Sequence, residues 1–161
     1  MIRAFESDVY KVTINWSRPR LYDNALNSEI KEIDNIFFYK IIARYNGKYK
    51  LLYIGKAYRQ YVTSRLLNLD HKGKRERLNE KYKRHDLLIS FGAVNTNKKR
   101  NHRLIDEVES LLIYTHCDIN TLINDKNKWS HNITRDYHII NSGFRRDGMV
   151  KEIGLGLFFK W

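Results

Sequence analysis

The sequence predicts an α+β domain: a small central antiparallel sheet of about three strands flanked by helices, with an extra N-terminal strand and a β-rich C-terminal elaboration. Three observations predict it. Two β-rich runs, Phe37–Arg44 and Tyr49–Gly55, flank the dipeptide Asn46-Gly47, the strongest short-range hairpin signal a sequence offers. A third compact apolar run, Leu87–Val94, supplies a buried strand beside that hairpin. Between His102 and His116, Ile105, Val108, Leu112 and Ile113 recur at helical spacing and form one apolar stripe.

In chain order, Tyr10, Val12, Ile14 and Trp16 alternate with Lys11, Thr13 and Asn15, the pattern of a half-buried strand. Pro19 ends it, since proline cannot donate to a ladder. The polar stretch Asp23–Asp34 suggests a short helix capped by Asp23 or Asn24. In the hairpin, register decides whether Tyr39 and Tyr53 share a face. A three-residue loop, Tyr45-Asn46-Gly47, sets Tyr39 directly opposite Tyr53, and this is the expected register. A two-residue loop without a bulge would send the two tyrosines to opposite faces.

Beyond Gly55, Tyr58, Tyr61 or Val62, Arg65 or Leu66, and Leu69 recur at helical spacing. His71–Arg84 is dense in lysine and arginine, either a solvated face or a phosphate-contacting surface. Asn95–Asn101 is a polar loop carrying Lys98, Lys99 and Arg100. Asp136–Asn141 reads as a strand turning at Ser142-Gly143. The closing run Met149–Trp161 is apolar, but Gly154 and Gly156 argue against a helix there. No repeat or linker interrupts the chain. Residues 1–161 are read as a single domain, with a core at 34–120 and extensions at 1–33 and 121–161 packed on it.

Lysine and arginine outnumber aspartate and glutamate by 30 to 18, a net charge of +12 and a pI near 9.8. That balance points to a polyanionic partner, nucleic acid above all. Cys117 is the single cysteine, which excludes an internal disulfide and any multi-cysteine zinc site. No apolar run approaches membrane-spanning length and the N-terminus lacks a signal peptide's apolar core, so an intracellular protein with no membrane partner is expected.

Glu109 interrupts the apolar stripe of the 102–116 helix, between Ile105 and Ile113, whereas Glu107 lies one turn from Arg103 on a more polar flank. A carboxylate on a core-facing side is costly unless paired. It either swings out to water or serves a cation or a catalytic partner. The tyrosines carry the same ambiguity, because tyrosine is a favoured strand residue.

The order of these parts resembles the GIY-YIG nuclease family. Tyr53-Ile54-Gly55 matches the second half of that name, and Phe37-Phe38-Tyr39 stands where the first half belongs, keeping only its tyrosine. Arg65 falls on the following helix, Glu109-Ser110-Leu111-Leu112-Ile113 resembles the family's Glu helix, and Asp118-Ile119-Asn120 its Asn-bearing turn. The resemblance covers about Asp34 to Asn120. It implies metal-dependent hydrolysis of DNA phosphodiesters. Glu109 would hold Mg²⁺, or another divalent cation such as Mn²⁺, and Arg65 would grip the scissile phosphate. Tyr39 or Tyr53 would orient or deprotonate the attacking water. Lys56 would lower a tyrosine's pKa or contact phosphate, with His71 an alternative base. Gly55 would let backbone approach closely or bend the strand, and Asn120 would hold the turn behind the Glu helix. A restriction-type endonuclease, acting on DNA as a homodimer, is the expected setting. The alternative is a non-catalytic nucleic-acid-binding protein on the same scaffold.

Overall fold

The computed structural model describes residues 8–27, 35–58, 62–67, 69–117, 122–131 and 133–155. Its strands are β1 (Tyr10–Trp16), β2 (Arg20–Leu21), β3 (Ile36–Tyr45), β4 (Lys48–Lys56), β5 (Asp86–Thr96), β6 (Tyr137–Gly143) and β7 (Glu152–Leu155). Its helices are α1 (Tyr22–Asn27), α2 (Val62–Leu66), α3 (Leu69–Lys81) and α4 (His102–His116). The strands form one sheet in the order β4-β3-β5-β1-β6-β7, with β2 also pairing β5. Among the described residues, no helix is long and apolar enough to cross a membrane.

The expectation of a small three-stranded antiparallel sheet is therefore corrected. The sheet has seven strands and curls into a half-barrel. It is mixed, because β1 runs parallel to β6 while its other neighbour, β5, is antiparallel. The physical reason lies in the chain ends. Alternating residues in β1 and β6 carry Val12, Ile14, Trp16, Tyr137 and Ile139, all buried in the same cluster as Leu104, Ile105, Val108, Leu111 and Leu112 of α4. The apolar stripe of α4 is too wide for three strands to cover, and the ends of the chain complete the cover.

The sheet has two differently dressed faces. One packs on α4 through Phe38, Leu51, Ile54 and Val94 as well as the β1 and β6 residues. The other buries Tyr39, Ile41, Leu52, Tyr53, Ile89 and Phe91 against Tyr22 and Ala25 of α1, Leu66 of α2 and Leu78 of α3. These three helices sit over the β4-β3-β5 half.

The hairpin turn differs from expectation in an instructive way. Tyr45 pairs with Lys48, so the loop holds two residues, Asn46 and Gly47. Both have positive φ, +47° and +72°, as a primed two-residue turn requires. That register alone would part the tyrosines. A bulge restores them: Ile42 pairs with Leu51 but Ile41 pairs with Tyr53, leaving Leu52 as the extra residue. Leu52 and Tyr53 consequently turn to the same face, that of Tyr39. Tyr39 then pairs with Gly55 rather than Tyr53, and the two tyrosines are diagonal neighbours.

The outer edge of β4 is capped where it bulges. Ile123 N–H donates to the Leu52 carbonyl at 2.7 Å. The Asn124 amide donates to the Ile54 carbonyl at 2.7 Å and accepts from Ile54 N–H at 3.1 Å. A single side chain thus imitates a neighbouring strand and keeps this edge from pairing elsewhere.

Candidate active site

Tyr39 and Tyr53 stand side by side, ring centroids 5.9 Å apart, their planes tilted by 33°. The residue that admits them is Gly55. A Cβ added there would lie 2.4 Å from Tyr39 Cζ, 2.5 Å from the Tyr39 hydroxyl and 2.8 Å from Tyr53 Cε1. Glycine here makes room for a tyrosine ring from the facing strand. Tyr39 is fully buried. Burial, first, and then the neighbouring Tyr53 and a hydrogen bond with it push the Tyr39 pKa far above the ordinary phenol range, against the pull of Arg65. Tyr39 is therefore a permanent neutral donor. Tyr53 is 7% exposed, and Lys74 of α3 holds its ammonium 3.5 Å from the Tyr53 hydroxyl and 4.7 Å from the ring centroid.

Tyr22 joins this group from α1. Its pKa is pushed up to about 12, by burial first and then, opposed by Arg75, by the nearby Tyr53. Arg75 lies over the Tyr22 ring at 5.5 Å and is bridged to Asp23 at 2.6 Å, which ties α3 to α1.

On the other side of β4, Lys56 follows Gly55 and reaches α4. Its ammonium pairs with Asp106 and, at 3.2 Å, with Glu109. These carboxylates are three residues apart and so share a helix face. Burial works against the Lys56 charge, but the hydrogen bond it donates to Asp106 and the field of Glu109 outweigh it and its pKa rises. Burial raises the pKa of Glu109, opposed by Lys56 first and also by Arg65. Arg65, half-buried in the last turn of α2, is the link across the sheet edge: its charge acts on both the Tyr39 hydroxyl and the Glu109 carboxyl.

Tyr39, Tyr53 and Gly55 thus meet on one face at the C-terminal end of β4, and Lys56 and Glu109 pair on the other. The side chain of His71 and the whole of Asn120 lie outside the described residues. Two expectations change in detail. Lys56 engages the carboxylates of α4 rather than a tyrosine. The more deeply buried glutamate is Glu107, at 4% exposure against 15% for Glu109. Glu107 accepts from Arg103 at 3.1 Å, from Thr134 at 2.7 Å and from the Tyr137 hydroxyl. Desolvation opposes its charge, but these bonds prevail and its pKa falls. It is a structural anchor that fixes the start of β6 to α4.

Four participants were not singled out from the sequence. Tyr22 stands just ahead of the polar Asp23–Asp34 stretch, Asp106 is one polar residue of the 102–116 helix, Lys74 is one of many charges in its run, and Asn124 opens a polar stretch. The three-residue step from Asp106 to Glu109 was the one available signal.

Among the described residues, no group of three or more His, Cys, Asp or Glu side chains is placed to enclose a metal. The donor set at Glu109 is two carboxylates, with Asp106 mostly exposed. That suits Mg²⁺, which keeps several waters and takes one or two carboxylates, better than a metal caged by protein ligands. Comparison with family models, with curated proteins and with solved structures returns no match for this chain.

Proposed function

We propose that this protein is a metal-dependent endonuclease of the GIY-YIG type, restriction-type in setting, that hydrolyses DNA phosphodiester bonds. What supports the reading is the crowding at the end of β4, with the tyrosine pair over Gly55 on one face and the Lys56–Glu109 pair on the other. Two hydrogen-bonded tyrosines stand over Gly55, and one arginine charge reaches both Tyr39 and Glu109.

The residues divide the work by their environments. Tyr39, buried and neutral, holds the Tyr53 hydroxyl in place. Tyr53, the more exposed of the pair, orients the attacking water. The Lys74 ammonium beside it stabilises negative charge that develops there. Arg65, planar and always charged, grips the scissile phosphate. Lys56 and Arg65 oppose the burial that would otherwise neutralise Glu109. Mg²⁺ held by Glu109, with Asp106 beside it, would neutralise charge on the phosphate and on the leaving oxygen. The basic face of α3, with Lys74, Arg77 and Lys81 on one side of the helix, offers a track for the backbone leading to the site.

The test is incubation with supercoiled plasmid, with and without Mg²⁺, beside Glu109→Ala. Metal-dependent cutting that vanishes in the variant supports the reading, and intact plasmid under every divalent metal rejects it. A second reading, a non-catalytic DNA-binding protein, draws on one observation: the Lys56 ammonium already bridges Asp106 and Glu109. Binding without cutting would favour it.

A further inference from the structure

We infer that the open half of the sheet is a second DNA-contacting surface, a groove for the sugar–phosphate backbone of duplex DNA beside the cleavage point. The inference rests on the nuclease reading for its choice of DNA as partner and for the place of the cleavage point.

The groove lies on the sheet face that carries the tyrosine pair. Thr13 and Asn15 alternate with Val12, Ile14 and Trp16, which pack toward α4, so they point to the opposite side. Along β5, Phe91 pairs with Tyr39 and is buried under the helices, whereas Ala93 and Asn95, next on the same face, line an open groove of about 980 Å³. Tyr53 lies level with Ile89 through Ile41, so Asn95 is about 20 Å along β5 and about 10 Å across the sheet from it, or about six to seven base steps of a DNA strand at about 3.4 Å each. A backbone whose scissile phosphate sat at Tyr53 would bring phosphates about that many steps away within reach of this floor.

The lining indicates which ligand fits. The floor is set by Thr13, Asn15, Asn95 and Ser142, neutral side chains of the kind that contact phosphate and sugar. Three successive cations, Lys98, Lys99 and Arg100, form the rim. Among the described residues, no acidic side chain lines the groove, so this lining suits an anion. Among the described residues, no aromatic side chain lines it either. Faces that bind single strands stack bases on aromatics, so a duplex backbone is the better match.

The rim is also held in shape. The Asn97 side chain accepts from Lys11 N–H at 2.9 Å and donates to the Val9 carbonyl at 3.1 Å, fixing the start of the 97–101 loop to β1. Asn101 closes the other end by capping α4, accepting from Leu104 N–H at 2.9 Å. Arg100 is steadied by a hydrogen bond to Asn35, itself on the groove wall, and lies 5.5 Å from the Phe37 ring. Cations presented on such a loop lose little freedom on meeting phosphate.

The test is fluorescence anisotropy of a labelled mixed-sequence duplex, titrated with salt in EDTA so that no cleavage intervenes. Each phosphate contact contributes about 0.9 to the slope of log K against log salt, so Lys98→Ala/Lys99→Ala/Arg100→Ala should lower it by about 2 to 3. Affinity should fall about tenfold or more. Asn95→Glu, an exposed substitution on the floor, should weaken the duplex without removing a cation. Binding of a single strand of the same sequence should change much less in both variants. Unchanged slope and affinity, an equal loss for single strand and duplex, or equal binding of duplex RNA would overturn the inference. If the wild type binds duplex and the rim variant equals it, only the groove falls. If the wild type binds through the rim yet never cuts, the groove stands and the nuclease reading falls.

Discussion

Replacing Gly55 with alanine asks the sharpest question of the tyrosine pair. The new methyl would stand 2.4 Å and 2.5 Å from Tyr39 Cζ and hydroxyl and 2.8 Å from Tyr53 Cε1, all inside van der Waals contact. Tyr39 has no exposed surface and cannot swing away. It is packed among Ile41, Leu52, Phe91 and Leu78 in a cluster covered by three helices. Overpacking of this kind costs about 1–3 kcal/mol, and three close atoms on rigid rings place it at the upper end. Lower unfolded-chain entropy returns about 0.4–1 kcal/mol. A net loss of about 2 kcal/mol follows, and at about 2–4 °C per kcal/mol for a domain this size Tm should fall by about 4–8 °C. Urea and thermal denaturation measure it directly. A double-mutant cycle with Tyr39→Leu should show coupling of about 1 kcal/mol or more. A Gly55→Ala protein as stable as wild type, or more stable, would refute the packing argument and the pairing of Tyr39 with Gly55 on which it rests.

Three further outcomes follow from the same geometry. Tyr53→Phe should lower plasmid cleavage by about 10²–10⁴-fold while Tyr39→Phe costs less, because Tyr53 keeps its hydroxyl; equal losses measured in single turnover would contradict the division of roles. Lys56→Met removes the foremost charge opposing the raised pKa of Glu109, so the acid limb of the rate profile should move to higher pH; an unmoved limb would mean that Glu109 ionisation does not govern the rate. Asp147→Asn strips its partner, at 2.8 Å, from the fully buried Lys40, whose pKa burial already lowers to about 8 despite that partner. Breaking such a pair should cost about 3–5 kcal/mol. The sign with pH is definite. Lys40 in the folded variant loses its proton below about 8 while the unfolded chain still holds it, so variant stability rises and its deficit narrows as pH approaches about 8. A pH-independent deficit in thermal melts would show that Lys40 is not the cause.

How far the sequence announced this molecule depends on the reach of each interaction. The hairpin was written in Asn46-Gly47, and α4 in its apolar stripe, since both are local. The bulge was not readable. Leu51, Leu52, Tyr53 and Ile54 are all buried, so no alternation marks the residue at which the register slips. The tyrosines reached one face by a two-residue turn plus a bulge rather than by a three-residue turn. The parallel pairing of β1 with β6 joins segments from opposite ends of the chain, and no local pattern encodes it. The same holds for Lys40, which looks like an ordinary polar strand residue until Asp147 and the Phe144 carbonyl, at 2.8 Å, are found around it. Glu107 and Glu109 were ranked in the wrong order of burial because the tail residues Thr134 and Tyr137 that enclose Glu107 are far away in sequence.

The central claim is that Glu109 serves the chemistry and not the grip on DNA. It is tested most directly by measuring, for Glu109→Gln, both the metal-dependent rate of plasmid cleavage and the affinity for duplex DNA in EDTA. The account predicts that cleavage is abolished while affinity stays within a few-fold of wild type. Cleavage at the wild-type rate in this variant, with binding intact, would contradict it.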